Sequence, residues 1–171
     1  VRAVFPDGSS EDLGTIEYGD AAVADVPIAH WPEEANAAII TAADPLVGAA
    51  LGSADQGPEH DYAWFTPAPV LDTETDIAAA VVPGGQLVVV NPGTEAAEVR
   101  IAGTGTDSDR AAVRLTVPAG GAVVAQAPSA ALVTSDAPIV MGVRLASGGN
   151  IAGYPVSELN ERASTITVYT R

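Results

Sequence analysis

Lysine and cysteine are both absent from this chain of 171 residues, and its seven cationic side chains are all arginine. Without lysine there is no Schiff-base amine, no phosphate-loop lysine and no lysine–asparagine isopeptide staple. Without cysteine, disulfides, thiolate metal sites and thiol nucleophiles are excluded. Aromatic residues make up 5% of the chain against a hydrophobic share of 47%, most of it alanine and valine. A core of small and β-branched side chains suits thin sandwiches better than large ligand-enclosing folds. No apolar run approaches the roughly 20 residues of a membrane-spanning helix. No signal-peptide pattern is present either, so this segment is not expected to enter a membrane directly.

Acidic residues outnumber basic ones by 22 to 7, for a net charge of −15 and a pI near 4.1. A surface this acidic repels phosphate backbones, so nucleic acid is not an expected partner. Anionic membrane surfaces are disfavoured for the same reason. Missing lysine beside abundant alanine, valine, glycine and aspartate reads as the composition of a GC-rich genome. The acidic load is too moderate to favour halophilic adaptation.

What is present is strand signal from end to end. GQLVVVNPG (85–93) is a short apolar run closed by an Asn-Pro-Gly turn. AEVRIAG (97–103) alternates, with Val99 and Ile101 to one side and Glu98 and Arg100 to the other. AVRLTVPAGGAVVAQAP (112–128) reads strand, turn, strand, and STITVYT (164–170) sets Ile166 and Val168 against Thr165, Thr167 and Tyr169. A period of two bounded by turn residues is the strand signature. Thirteen Pro and seventeen Gly leave little room for long helices. The one helical candidate is EEANAAIITAA (33–43), where Glu33 and Glu34 suit a helix N-terminus.

An internal comparison argues against that helix. AAIITAADPLVGAAL (37–51) aligns without gaps to AALVTSDAPIVMGVR (130–144), at an offset of 93 residues. Val133, Ile139 and Val140 are poor helix formers, so both copies are expected to be β-hairpins around an Asp- and Pro-bearing turn. Flanking segments follow in order with gaps: Val1-Arg2 with Val99-Arg100, 16–27 with 115–128, 62–69 with 153–156, and 76–82 with 164–170. Recurrence of supersecondary units at one spacing marks a tandem array. The expected fold is therefore all-β, a tandem of two related Ig-like β-sandwich modules over 1–82 and 83–171. The first begins at a point equivalent to Val99 and so lacks its N-terminal strand. The chain reads as one and three-quarter repeats of a longer array, and the first module is expected to take up a strand at its open edge.

Four turn motifs carry a resemblance: Asn91-Pro92, the Val-Pro-Ala-Gly turn at 117–120, the Thr-Ser-Asp-Ala-Pro segment at 134–138, and the aromatic segment from Tyr62 to Pro67. In this order they resemble a family of uncharacterised actinobacterial cell-envelope proteins built of repeated Ig-like modules. The resemblance covers most of the chain. It implies an extracellular or envelope location within a longer exported or anchored chain, and a protein partner there, a membrane glycosyltransferase of glycan assembly. It brings over no catalytic residue.

Chemistry-bearing candidates are few. His30 and His60 have no spacing that pairs them with each other or with carboxylates as ligands or general bases. TGTDSD (104–109) and DTETD (72–76) offer several oxygens, but neither has the spacing of a calcium loop, and Ca²⁺ takes about six to eight ligands. No Gly-x-Ser-x-Gly elbow occurs. Paired carboxylates of a glycoside hydrolase would leave no sequence pattern, yet a small, aromatic-poor sandwich offers few walls for a sugar cleft. The expectation is a non-enzymatic chain that needs no cofactor and no metal. The aromatic group Trp31, Tyr62, Trp64 and Phe65 is the candidate contact site, as packing between modules or as a flat platform for sugar. On a strand, one of Trp64 and Phe65 must face outward. Two functions follow: a structural or docking module at the envelope, and a glycan-binding accessory module.

Overall fold

Strand β9 (Ala97–Gly103) shows how burial follows alternation: Ala97, Val99 and Ile101 are buried, and Glu98 and Arg100 are exposed. A computed structural model of the chain describes residues 1–15, 27–42, 48–56, 59–72, 76–109, 111–147 and 149–158. Before β9 lie β1 (Arg2–Val4), β2 (Ser10–Asp12), β3 (Ala37–Ile39), β4 (Ala50–Gln56), β5 (Glu59–Phe65), β6 (Val70–Leu71), β7 (Ile77–Ala80) and β8 (Gln86–Val90). After it come a 3₁₀ turn at Gly105–Asp107, β10 (Val113–Val117), β11 (Ala122–Ala125), β12 (Ala130–Ser135), β13 (Ile139–Ser147) and β14 (Asn150–Pro155). The protein is all-β, and among the described residues every strand pairing is antiparallel. The helical candidate at 33–43 contributes β3 instead.

Two sheets form a sandwich. The front sheet has the order β10-β9-β12-β7, and the middle sheet β11-β8-β13-β14, with β6 also against β13. Leu87, Val89, Met141 and Val143 of the middle sheet share one core with Val99, Ile101 and Val133 of the front sheet. A third layer lies behind. The N-terminal sheet β2-β1-β3 brings Val4, Ala37 and Ile39 onto Val88, Val90, Ala122, Val124 and Val140. This explains why 87–90 is apolar without alternation: β8 is buried on both faces, as inner strands of layered sheets are. Polar ties fix the third layer. The Ala122 amide donates to Phe5 O at 3.1 Å, and Asn36 Nδ2 donates to Ala122 O at 3.0 Å.

Two expectations meet a different geometry. The segment 130–144 is not a hairpin, and in 37–51 the two described strands do not pair with each other, residues 43–47 lying outside the described residues. Strand β12 pairs with β7 and β9, while β13 pairs with β6, β8 and β14. Likewise β3 pairs with β1, and β4 with β5. The Asp- and Pro-bearing turn at 134–138 therefore carries the chain from one sheet to the other, because both flanking strands have core faces to bury. The second difference concerns the boundary between residues 82 and 83. Strands β6 and β7 precede it, yet β6 pairs with β13 and β7 with β12. Leu71 and Ile77 are buried in the core of the sandwich that follows.

In the N-terminal sheet the first strand lies between the two that follow it, β2-β1-β3, as β9 lies between β10 and β12 in the front sheet. The turn between β1 and β2 is held by Asp7, whose Oδ1 accepts from Ser9 Oγ at 2.6 Å and from the Ser9 amide at 2.9 Å. The Ser9 hydroxyl, then its amide, holds the Asp7 carboxyl below its ordinary value. The contribution of this turn is present above the ordinary carboxylate range and fades as pH falls through the lowered value. Ser9→Ala is expected to return the Asp7 titration toward that of a free carboxyl, read by the side-chain carboxyl carbon shift in NMR. An unmoved titration would show that the hydroxyl does not set it.

Candidate functional site

The hairpin β4-β5 carries three of the chain's eight aromatic rings, Tyr62, Trp64 and Phe65. Leu51 pairs with Trp64 and Ser53 with Tyr62, and residues opposite each other on a ribbon share a face. Leu51, Tyr62 and Trp64 therefore lie on one side, and they are 55%, 65% and 65% exposed. Exposed His60 belongs to the same face by its position in β5.

The opposite face of the hairpin seats it on β14. Phe65 is half-buried, and its ring lies across two glycines. A Cβ on Gly153 would stand 2.5 Å from Phe65 Cε1, and one on Gly52 2.8 Å from Cε2. No real Cβ approaches so closely, so the absence of side chains at both positions makes the socket for this ring. Asp61 completes the seat, its Oδ2 accepting the Ile151 amide of β14 at 2.8 Å while Oδ1 accepts the Tyr62 amide at 2.9 Å. A charged side chain thus occupies a backbone group of β14 that would otherwise sit at a strand edge.

Of the four candidates, the structure brings Tyr62 and Trp64 together on one face. Phe65 points the other way and anchors. Trp31 belongs to neither face: it lies in the connection before β3, 41% exposed, with Nε1 donating to Ala35 O at 3.2 Å. Tyr154 of β14 is also structural, its hydroxyl donating to Ala80 O at 2.8 Å and accepting from the Val82 amide at 3.3 Å. Leu51 was missed by sequence reasoning. Its place beside Trp64 depends on cross-strand register, which no local pattern announces.

Asp107 is buried in the 3₁₀ turn and its Oδ2 accepts from Ser129 Oγ at 2.9 Å. Asp109, Asp72 and Asp76 are exposed, and residues 73–75 lie outside the described residues. Among the described residues no three His, Asp or Glu side chains are placed to hold a metal ion. An open hollow of about 330 Å³ is lined by Asn91, Pro92, Thr94 and Glu95 with Ala137 and Pro138. Asn91 spends its polar atoms on backbone partners within the turn and on Val117, so it presents nothing to a ligand there. Comparison with known protein families, curated proteins and solved structures gives no match.

Proposed function

We propose that this chain is a non-catalytic structural or docking segment of an exported cell-envelope protein, formed of two related Ig-like modules. The reading rests chiefly on the hairpin β4-β5, which presents Leu51, Tyr62 and Trp64 to solvent while Phe65 and Asp61 fix it to β14. A contiguous exposed apolar face on a rigid element is the surface a partner uses. Module kinship is supported by the matching order of β2-β1-β3 and β10-β9-β12 and by the hairpin that follows each. The first module has no counterpart of β8 among its described residues. The envelope setting, with a membrane glycosyltransferase of glycan assembly as partner, is implied by the resemblance of its turn motifs.

A second reading is favoured by one detail. Tyr62 and Trp64 stand two residues apart on one face, the arrangement by which rings stack on the CH faces of a sugar chain. Capture of partners from the native envelope by the chain and by Trp64→Ala separates the two. The docking reading expects a protein partner retained by the chain and lost by at least tenfold with Trp64→Ala, since central aromatic anchors carry roughly 2 kcal/mol or more. The glycan reading expects tryptophan fluorescence to change with neutral envelope polysaccharide. No Trp64-dependent capture, with silent fluorescence across a glycan panel, would remove this face from both.

A further inference from the structure

The outer face of the hairpin β4-β5 is apolar at one end and polar at the other. Leu51 and Trp64 stand opposite each other, and Ser53 stands opposite Tyr62 one step nearer the turn. His60 continues the same side of β5. All five residues are exposed. Residues two apart on a strand project to one side at a separation of roughly 6.5 Å, which sets the Tyr62 and Trp64 rings about one sugar unit apart.

The apolar end suits a protein or a sugar equally, whereas the polar end suits a sugar. A pyranose unit offers a CH face to an aromatic ring and hydroxyls at its rim. Leu51 widens the floor beside Trp64, while the hydroxyls of Ser53 and Tyr62 donate and accept at the rim of the next unit. Charge narrows the class of sugar. The chain carries −15, and the register sets Asp55 opposite His60 on this face, so an acidic polymer is repelled. The ribbon is also fixed before anything binds, by Phe65 in its glycine socket and Asp61 on the Ile151 amide. Little conformational freedom is then lost on contact.

We infer that this face holds a neutral polysaccharide across two adjacent subsites, one sugar unit on Trp64 beside Leu51 and the next on Tyr62 beside Ser53, and turns acidic polysaccharides away. This rests on the glycan reading above and goes beyond it by assigning the subsites and the charge class. Two consequences follow from the physics. Affinity climbs as the sugar lengthens to cover both rings and then levels off, because stacking energy is gained ring by ring. Binding of the neutral polymer is insensitive to salt, whereas the exclusion of acidic polymers relaxes as salt screens the charge.

NMR titration of the full chain tests this, because its two tryptophan indole N–H signals serve as probe and control. Trp64 is the probe, and Trp31, whose Nε1 donates to Ala35 O, is the control. The titrants are glucose, mannose and galactose oligomers of increasing length, with galacturonate oligomers as the acidic series and glucosamine oligomers as the cationic one. The expected result is that the Trp64 signal moves with a neutral series while that of Trp31 stays, and that galacturonate at low salt moves neither. Trp64→Ala and Tyr62→Ala should each weaken the binding roughly three- to tenfold. Where Trp64→Ala loosens the hairpin, Trp64→Tyr keeps a ring and should stay within about threefold of the wild type. Galacturonate bound at low salt as tightly as the neutral series, or glucosamine bound alone, overturns the charge class and leaves the glycan reading standing. A loss with one ring variant and not the other overturns the paired subsites in the same way. A Trp64 signal unmoved by every sugar overturns both the inference and the glycan reading, and a protein captured through Trp64 is then the occupant of the face.

Discussion

Val90→Asp is expected to lift the N-terminal sheet off the sandwich while the sandwich itself stays folded. Val90 is buried on the outer face of β8, between Ala122 and Val140, and packs in the cluster that receives Val4. Truncating its contact forfeits about 1.5–3 kcal/mol of burial. An unpaired carboxylate in the same place adds roughly 3–5 kcal/mol. A layer of three short strands can escape that penalty by opening, at a local free energy below that of global unfolding. Val89, one residue away, faces the other core. Val89→Asp should therefore unfold both layers together. Amide hydrogen exchange distinguishes the cases: with Val90→Asp, protection is expected to vanish at Arg2–Val4 and persist in β9, β12 and β13. A uniform loss across all strands would mean that the three layers form one cooperative unit.

The second large effect belongs to Asn91, a fully buried polar side chain that gathers three backbone groups. Its Nδ2 donates to Glu95 O at 2.7 Å and to Val117 O at 3.0 Å, and its Oδ1 accepts the Gly93 amide at 2.9 Å. Asn91→Ala removes all three bonds and leaves a void, at a cost of about 3 kcal/mol on the scale of roughly 1 kcal/mol per bond. Asn91→Asp is the sharper probe. It keeps the acceptor for Gly93 but turns the donor into a second oxygen facing two carbonyls, so the near-isosteric change should cost at least as much as the truncation. Urea unfolding at neutral pH, with the slope compared between variants, gives the measurement. Stability recovered by Asn91→Asp to the wild-type value would show that Nδ2 is not the group that matters.

Asn91 also shows how much could be read in advance. The Asn-Pro-Gly turn after 86–90 is legible from residue types alone, since asparagine closes turns with its own side chain and proline ends a strand. That the same amide reaches across to Val117 is a tertiary fact. The candidate aromatics divide in the same way. Alternation demanded that one of Trp64 and Phe65 face out, but which one depended on Gly153 of β14, far along the chain. Leu51 joined the exposed face through register with Trp64, and Trp31 stayed apart because its loop leads into another sheet.

Composition and periodicity by themselves determined that the chain is all-β, that its cores are dominated by alanine, valine and isoleucine, and that thiol and lysine chemistry are absent. These follow from local properties, because a period of two is written residue by residue into each strand. Pairing between strands was decided only in the tertiary structure. A turn such as Asp-Ala-Pro serves equally to fold a strand back onto its neighbour or to pass it to the opposite sheet. The choice between them turns on where the largest apolar area can be buried, a property of the assembled layers. For the same reason β6 and β7 left the segment they follow in sequence and completed the sandwich that comes after, where Leu71 and Ile77 find a core.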